Sequence, residues 1–186
     1  MKLILASNSP RRKEILKDAG FEFIIKQSDY DETTFSDNPI ETALTFALGK
    51  AKAVFNVLSD KSNVVLGADT VVFYNGKILG KPKDEKEAVR MLKTLSNKTH
   101  LVVTGYAIIT KDKTICDCCK TQVTFNDLSD ELIDSYIKSG LYKGKAGSYG
   151  IQDNYPLVKR YEGSLSNVIG LPIEEIAPLL KNLIKG

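Results

Sequence analysis

Apolar residues recur along this chain with two alternating periods. Short apolar runs fit strands and longer stretches at helical spacing fit helices, which predicts an α/β fold. Lys2 to Ala6 reads as a buried first strand. Ser9 caps a helix that Pro10 opens and Gly20 ends. Phe21 to Lys26 alternates like a half-buried strand, and residues 28–37 form a polar, acidic loop. Pro39 opens a long helix, with Ile40, Ala43, Leu44, Ala47, Leu48, Ala51, Val54, Phe55 and Leu58 on one face. Val64 to Leu66 is a short buried strand, after which Gly67-Ala68-Asp69-Thr70 lies at the edge of the sheet. Val71 to Phe73 follows, and Asn75-Gly76 marks a hairpin turn. Asp84 caps a helix whose apolar face is Ala88, Met91, Leu92 and Leu95. Leu101–Thr110 and Thr114–Phe125 are two strands that turn near Asp112-Lys113. Ser129 caps a helix that Gly140 ends, residues 141–156 form a Gly-, Lys- and Tyr-rich functional loop, and Pro172 opens a last helix. Neighbouring hairpin-like strands predict a mixed sheet rather than a purely parallel one.

Length and composition narrow this picture. The 186 residues fit one domain, 42% hydrophobic and 26% charged, as in ordinary globular proteins. No apolar run is long enough to span a membrane, and the apolar start is too short for a secretory signal, so the expected compartment is the cytoplasm. The net charge of +3 comes from scattered residues, with no basic stripe interleaved with aromatics, so neither a nucleic-acid nor a membrane partner is expected. Cys116, Cys118 and Cys119 are odd in number and have no second cluster, and they read as thiols on a strand. His100, the sole histidine, lacks a nucleophile elbow and reads as structural.

Five segments could carry chemistry. In Ser7-Asn8-Ser9-Pro10-Arg11-Arg12 a strand ends and a helix starts with two arginines, which makes either a phosphate cradle or an ordinary capped helix. Asp69 could bind a metal, act as a general base or brace its own turn. Asp29, Asp31 and Glu32 could hold Mg²⁺ or form a solvated loop. Lys50 lies at the border of the long helix's apolar face, where it could snorkel to solvent or reach into a cleft. Lys81 beside Pro82 and Lys145 in the glycine loop complete the lysine set. In Gly144 to Gln152, Tyr149 could stack on a base and Gln152 could read its polar edge.

Together these segments resemble the Maf family of nucleotide pyrophosphatases. The matching stretches are Leu5–Arg12, Asp31-Glu32, Leu44–Val54, Gly67–Val72, Gly80-Lys81-Pro82, Leu95-Ser96 with His100 and Thr104-Gly105, Lys145–Gln152, and Asn167–Pro172. They occur in order over nearly the whole chain. The loop sequence Ala146-Gly147-Ser148-Tyr149-Gly150-Ile151-Gln152 resembles the branch that acts on dTTP and UTP, and Asp153 departs from it, where that branch commonly has Gly. The resemblance implies a single two-lobed domain over residues 1–186, related to the inosine triphosphatases (Ham1-like), with a central cleft. It implies hydrolysis of dTTP and UTP, and of modified pyrimidine nucleotides, to the monophosphate and pyrophosphate. A divalent cation (Mg²⁺ or Mn²⁺) held near Glu32 and Asp69 and a homodimer also follow from it. Asp69 would accept the proton, and Arg12, Lys50 and Lys81 would stabilise phosphate charge. Ser7, Ser9, Arg11, Thr70, Lys145, Tyr149 and Gln152 would bind substrate, with Arg11, Thr70 and Gln152 tied to its choice. The same family's association with septum formation leaves a second expectation, a nucleotide-binding regulator of cell division that needs no turnover.

Overall fold

The computed structural model describes residues 1–33 and 36–185. Positions 34 and 35 of the polar loop lie outside the described residues. The described residues form a mixed seven-stranded sheet flanked by helices. In chain order the elements are β1 (Leu3–Leu5), α1 (Pro10–Asp18), β2 (Phe23–Ile25), α2 (Pro39–Asn56), β3 (Val64–Tyr74), β4 (Lys77–Leu79) and α3 (Glu85–Leu95). There follow β5 (Thr99–Ile109), β6 (Thr114–Phe125), α4 (Asp130–Lys138), a 3-10 turn at Ala146–Ser148, β7 (Val158–Glu162), α5 (Leu165–Ile169) and α6 (Ile173–Lys185). The strand order is β2-β1-β3-β5-β6-β7, with β4 beside β3. Among the described residues, only the pairings of β1 with β2 and β3 are parallel.

Local signals account for most boundaries. The side chains of Ser9, Asp84 and Ser129 accept hydrogen bonds from the first-turn N–H groups of α1, α3 and α4. Asn75 and Gly76 both take positive φ (48° and 74°), as a two-residue hairpin requires. β7 has no counterpart in the apolar pattern, because an edge strand that is mostly solvent-exposed has no buried face to mark it. The edge strand β2 is likewise less buried than its alternation predicts: Ile24 and Ile25 are exposed.

Two expectations are corrected. Val64–Phe73 is not two strands around a turn. It is one continuous strand, with Asp69 in its middle, paired opposite Gly105 of β5. The buried stripe of α2 is also rotated from the predicted face. Phe46 and Lys50 are buried, whereas Ile40, Leu44, Leu48, Phe55 and Leu58 are only partly so. The rotation comes from close packing. A Cβ on Gly67 would lie 2.4 Å from the Ala47 carbonyl oxygen, and one on Gly105 would lie 2.4 Å from that of Ala43. The two bare glycines therefore let the small-residue face of α2 lie directly on β3 and β5.

Core packing occupies both ends of the long strands. At one end, Val64, Leu66 and Ala68 pack with Leu16 of α1 and with Ile176 and Leu180 of α6. On the opposite face, Val65 packs against Ala47, Ala51 and Val54 of α2. At the other end, Val72, Leu92, Leu95, Phe125, Tyr136 and Tyr149 share a cluster joining α3, α4 and the 3-10 turn. Between the ends, the sheet is interrupted. β1 pairs with β3 at residues 64–66 and β4 pairs with it at 72–74. Among the described residues, 67–71 have no strand partner on that edge. Cys116, Cys118 and Cys119 lie on β6 as free thiols. Among the described residues, no helix is long and apolar enough to cross a membrane.

Candidate active site

A cleft of about 420 Å³ opens at that interruption. Its walls come from the β1–α1 turn, the middle of β3, Lys50 of α2, Lys81, and the loop around Lys145. Asp69 forms its buried floor, 6% exposed. Lys50 reaches it from α2: Nζ is 2.6 Å from Asp69 Oδ1 and 3.0 Å from Glu32 Oε1. Glu32 is carried there by its loop, because the Tyr30 ring rests on Gly49 and meets Phe46 edge-on. Any side chain on Gly49 would occupy the ring's place, since its Cβ would sit 2.3 Å from Tyr30.

Arg12 is the second buried cation. Its Nε donates to Gly170 O (2.8 Å), Nη1 to Ser7 Oγ (3.3 Å) and Nη2 to Thr70 Oγ1 (3.1 Å). Thr104 Oγ1 donates to Asn167 O (2.9 Å), so its hydroxyl accepts from Thr70, 2.9 Å away. The chain of bonds therefore runs from Arg12 through Thr70 and Thr104 to α5. Asn167, fully buried, closes it. Its Oδ1 accepts from Thr104 N (3.1 Å), and its Nδ2 donates to Val102 O (3.3 Å) and Thr121 Oγ1 (2.8 Å). Thr104 and Asn167 were legible only as parts of matching motifs, because a buried amide in a short apolar run gives no local sign of its partners.

Electrostatics follow from burial. Desolvation pushes the Asp69 carboxyl above its ordinary value, against the pull of Lys50 and Arg12 in the other direction. A carboxylate so raised is a stronger base than one in water. Desolvation also pushes the Arg12 and Lys145 cations down, with Asp69 and Asp153 respectively opposing it.

The remaining expected residues divide. Ser9 caps α1, its Oγ 3.5 Å from Arg12 N, while Ser7 Oγ accepts from Ser9 N (3.2 Å); both serines line the cleft. Arg11 lines it too, tied through Nη2 to Gly144 O (3.2 Å). Lys81 is exposed at the rim, and the backbone bond from Gly147 N to Gly80 O (3.1 Å) joins its segment to the Lys145 loop. Tyr149 reaches the cleft wall but is only 5% exposed. Its hydroxyl bonds His100 Nε2 (2.7 Å) and its ring packs edge-on with those of Phe125 and His100. This arrangement makes it a packing residue and not an open stacking platform. Gln152 does not line the cleft. Its side chain is exposed, because the turn from Gly150 to Asp153 directs Asp153 inward instead. Gln152 thus stands outside the cleft wall, on the solvent side of this turn.

Among the described residues, no three His, Cys, Asp or Glu side chains converge. Two carboxylates, Asp69 and Glu32, do meet at one point on the cleft floor, with Lys50 Nζ between them. Mg²⁺ is commonly held by one or two carboxylates together with substrate phosphates, so these residues fit it.

The sequence model of the Maf-like protein family matches residues 2–183. The chain belongs to the Maf family. It is 49% identical over 182 residues to a dTTP/UTP pyrophosphatase of Bacillus cereus, covering 97% of this chain and 89% of that protein. It is 48% identical to a dTTP/UTP pyrophosphatase of Pyrococcus furiosus, covering 97% and 94%. Among solved structures it resembles the Staphylococcus aureus Ham1 protein, with a TM-score of 0.53 at 16% identity over 85% of this chain and 80% of that one. That last likeness bears on the fold alone. It agrees with the mixed α/β architecture of this Maf-family chain.

Proposed function

We propose that this protein hydrolyses dTTP and UTP between the α and β phosphates, releasing the monophosphate and pyrophosphate. The observation that carries the reading is the buried Asp69 at the floor of an open cleft, beside Lys50 and Glu32 and facing Arg12. The names of the Bacillus and Pyrococcus relatives supply the substrate class.

A nucleoside triphosphate is highly anionic, so the site must first offset its charge. Arg12, Lys50, Lys81 and Arg11 surround the cleft and supply fixed cations, of which Arg12 offers a forked donor for phosphate oxygens. The N-terminus of α1 adds its own positive end behind the Ser7–Ser9 turn. Asp69 then removes the proton from the attacking water. The Lys50 bond engages Oδ1 and fixes the carboxylate's direction, and Oδ2 takes the proton. Glu32 and Asp69 would hold a divalent cation, which when bound lowers the pKa of water and offsets phosphate charge. Lys81 at the rim stabilises the leaving pyrophosphate. We further infer a cytoplasmic homodimer, in which modified pyrimidine nucleotides are also substrates.

A nucleotide-binding regulator without turnover is the rival reading. The set of Asp69, Lys50, Glu32 and Arg12 favours the enzyme, because binding alone needs no raised carboxylate at the cleft floor. The test is a nucleotide panel with Mg²⁺ or Mn²⁺, reading pyrophosphate through added inorganic pyrophosphatase. Release from dTTP and UTP, abolished by excess EDTA, is expected. Release of single phosphates with formation of the diphosphate would overturn the bond assignment. Tight binding without turnover would favour the regulator, and full activity in EDTA would remove the cation.

A further inference from the structure

The second cation group of the cleft is built differently from the first. Lys145 lines the wall, yet its ammonium is paired with both oxygens of Asp153, at 2.5 Å from Oδ1. Both side chains are under 10% exposed. Tyr136 of α4 donates its hydroxyl to Asp153 Oδ2 (2.5 Å) and accepts from Gly150 N (3.2 Å). The arrangement is thus a relay from α4 through a carboxylate to a lysine in the cleft. Arg11 lies close enough to be influenced by the charges of both Asp153 and Lys145.

We propose that Asp153 is a positioning residue for substrate: it fixes the Lys145 ammonium in the cleft wall so that its remaining N–H meets the nucleotide's phosphates. The inference rests on the pyrophosphatase reading and adds to it a residue that the sequence marked only as a departure.

Three physical points carry it. A lysine stem has four rotatable bonds, and an unpaired ammonium at this depth would leave for water, as long charged side chains do. Two hydrogen bonds to one carboxylate leave one of the three ammonium protons for a ligand, and Lys145 lines the cleft that a phosphate would enter. Arg11 and Lys145 also repel each other, and the Asp153 carboxylate, whose charge acts on both cations, offsets that repulsion. A buried ion pair adds little net stability over a well-packed apolar pair. Its geometric effect on Lys145 is what distinguishes it from packing. Tyr136 is the brace: it holds the carboxylate that holds the lysine.

The test is a double-mutant cycle on pyrophosphate release from dTTP, with a melting curve for each protein. Asp153→Asn should raise KM about tenfold while kcat stays within about twofold, the pattern of lost substrate binding. Lys145→Met should raise KM at least as much. In the Lys145→Met background, Asp153→Asn should add nothing further, because the residue acts through that lysine. Asp153→Glu, which keeps the charge, should recover part of the loss. Should Asp153→Asn fail to fold, Tyr136→Phe carries the test: a smaller rise in KM that vanishes when Lys145 is Met. An unchanged or lowered KM in a folded Asp153→Asn protein would overturn the proposal. So would effects of the two changes that simply add. Absence of pyrophosphate release by the unaltered protein would instead overturn the function reading. Calorimetric titration of dTTP into the same variants would then still decide whether Asp153 acts through Lys145.

Discussion

Two buried lysine–aspartate pairs face the same cleft, and they are held in opposite ways. Lys50 and Asp69 stand on a long helix and the central strand, brought together because Gly67 and Gly105 let α2 settle onto the sheet. Lys145 and Asp153 stand on an irregular loop and need the Tyr136 hydroxyl and a backbone N–H to hold them. In the first pair both partners line the cleft, and the lysine fixes the direction of the carboxylate. In the second the lysine faces the cleft and the carboxylate braces it. The same two residue types therefore give a base in one place and a phosphate-facing cation in the other. The carboxylate lines the cleft in the first pair and not in the second, and that difference decides its role.

The sharpest way to break this symmetry is at the carboxylates. Asp69→Asn should keep the melting temperature within a few degrees and lower kcat by roughly a hundredfold to ten-thousandfold, the span of general-base contributions. Asp153→Asn should change KM instead, as argued above. Near-normal kcat after Asp69→Asn would end the assignment of Asp69 as base.

The scaffold beneath the first pair comes next. Gly67→Ala would drive a methyl group into the Ala47 carbonyl and lift α2 from β3. A loss of about 3 kcal/mol is expected, the upper part of the usual overpacking range, together with a fall in kcat as Lys50 moves from Asp69. The same change should leave the KM effect of Asp153→Asn intact, since the second pair does not rest on α2. Denaturant unfolding beside steady-state kinetics measures both.

The smallest effect concerns the wall around the second pair. Burial holds His100 down to about 4, well below the usual histidine value. Its unfolded form takes up a proton that the folded form refuses. Stability from this group is therefore present above pH 6.5 and declines as pH falls toward 4. About 2 kcal/mol should be lost between pH 7 and pH 5. His100→Gln, which can still bond the Tyr149 hydroxyl, should flatten that part of the curve. An identical slope in both proteins would place the acid sensitivity elsewhere.

Much of the molecule was legible in local signals. Ser9, Asp84 and Ser129 have the residue type and position of helix caps, and they cap. Asn75-Gly76 was read as a hairpin turn, and Ala88, Met91, Leu92 and Leu95 form the buried face of α3 as their spacing predicts. The mixed sheet followed from strands set close together in sequence. The family followed from motifs in order, although each motif alone had a bland reading.

What the local pattern could not reach was the partner of each charged group. The apolar run that ends at Leu66 places Asp69 just past a short strand, at the edge of the sheet, but β5 pairs along residues 65–73 and keeps it extended within the strand. Nothing near Asp153 in the chain marks it as an inward residue, yet it takes the inward position because Lys145, eight residues earlier, offers it a charge. Lys50 sat at the border of a predicted face, and only the bare glycines of β3 and β5 decided that it would turn inward. Caps and tight turns depend on residues within a few positions, so the sequence determined them by itself. Burying a charge is unfavourable without a matched partner, and those partners lie 8 to 19 residues away for the two pairs. Only the tertiary structure could supply them, and with them the division of labour within the cleft.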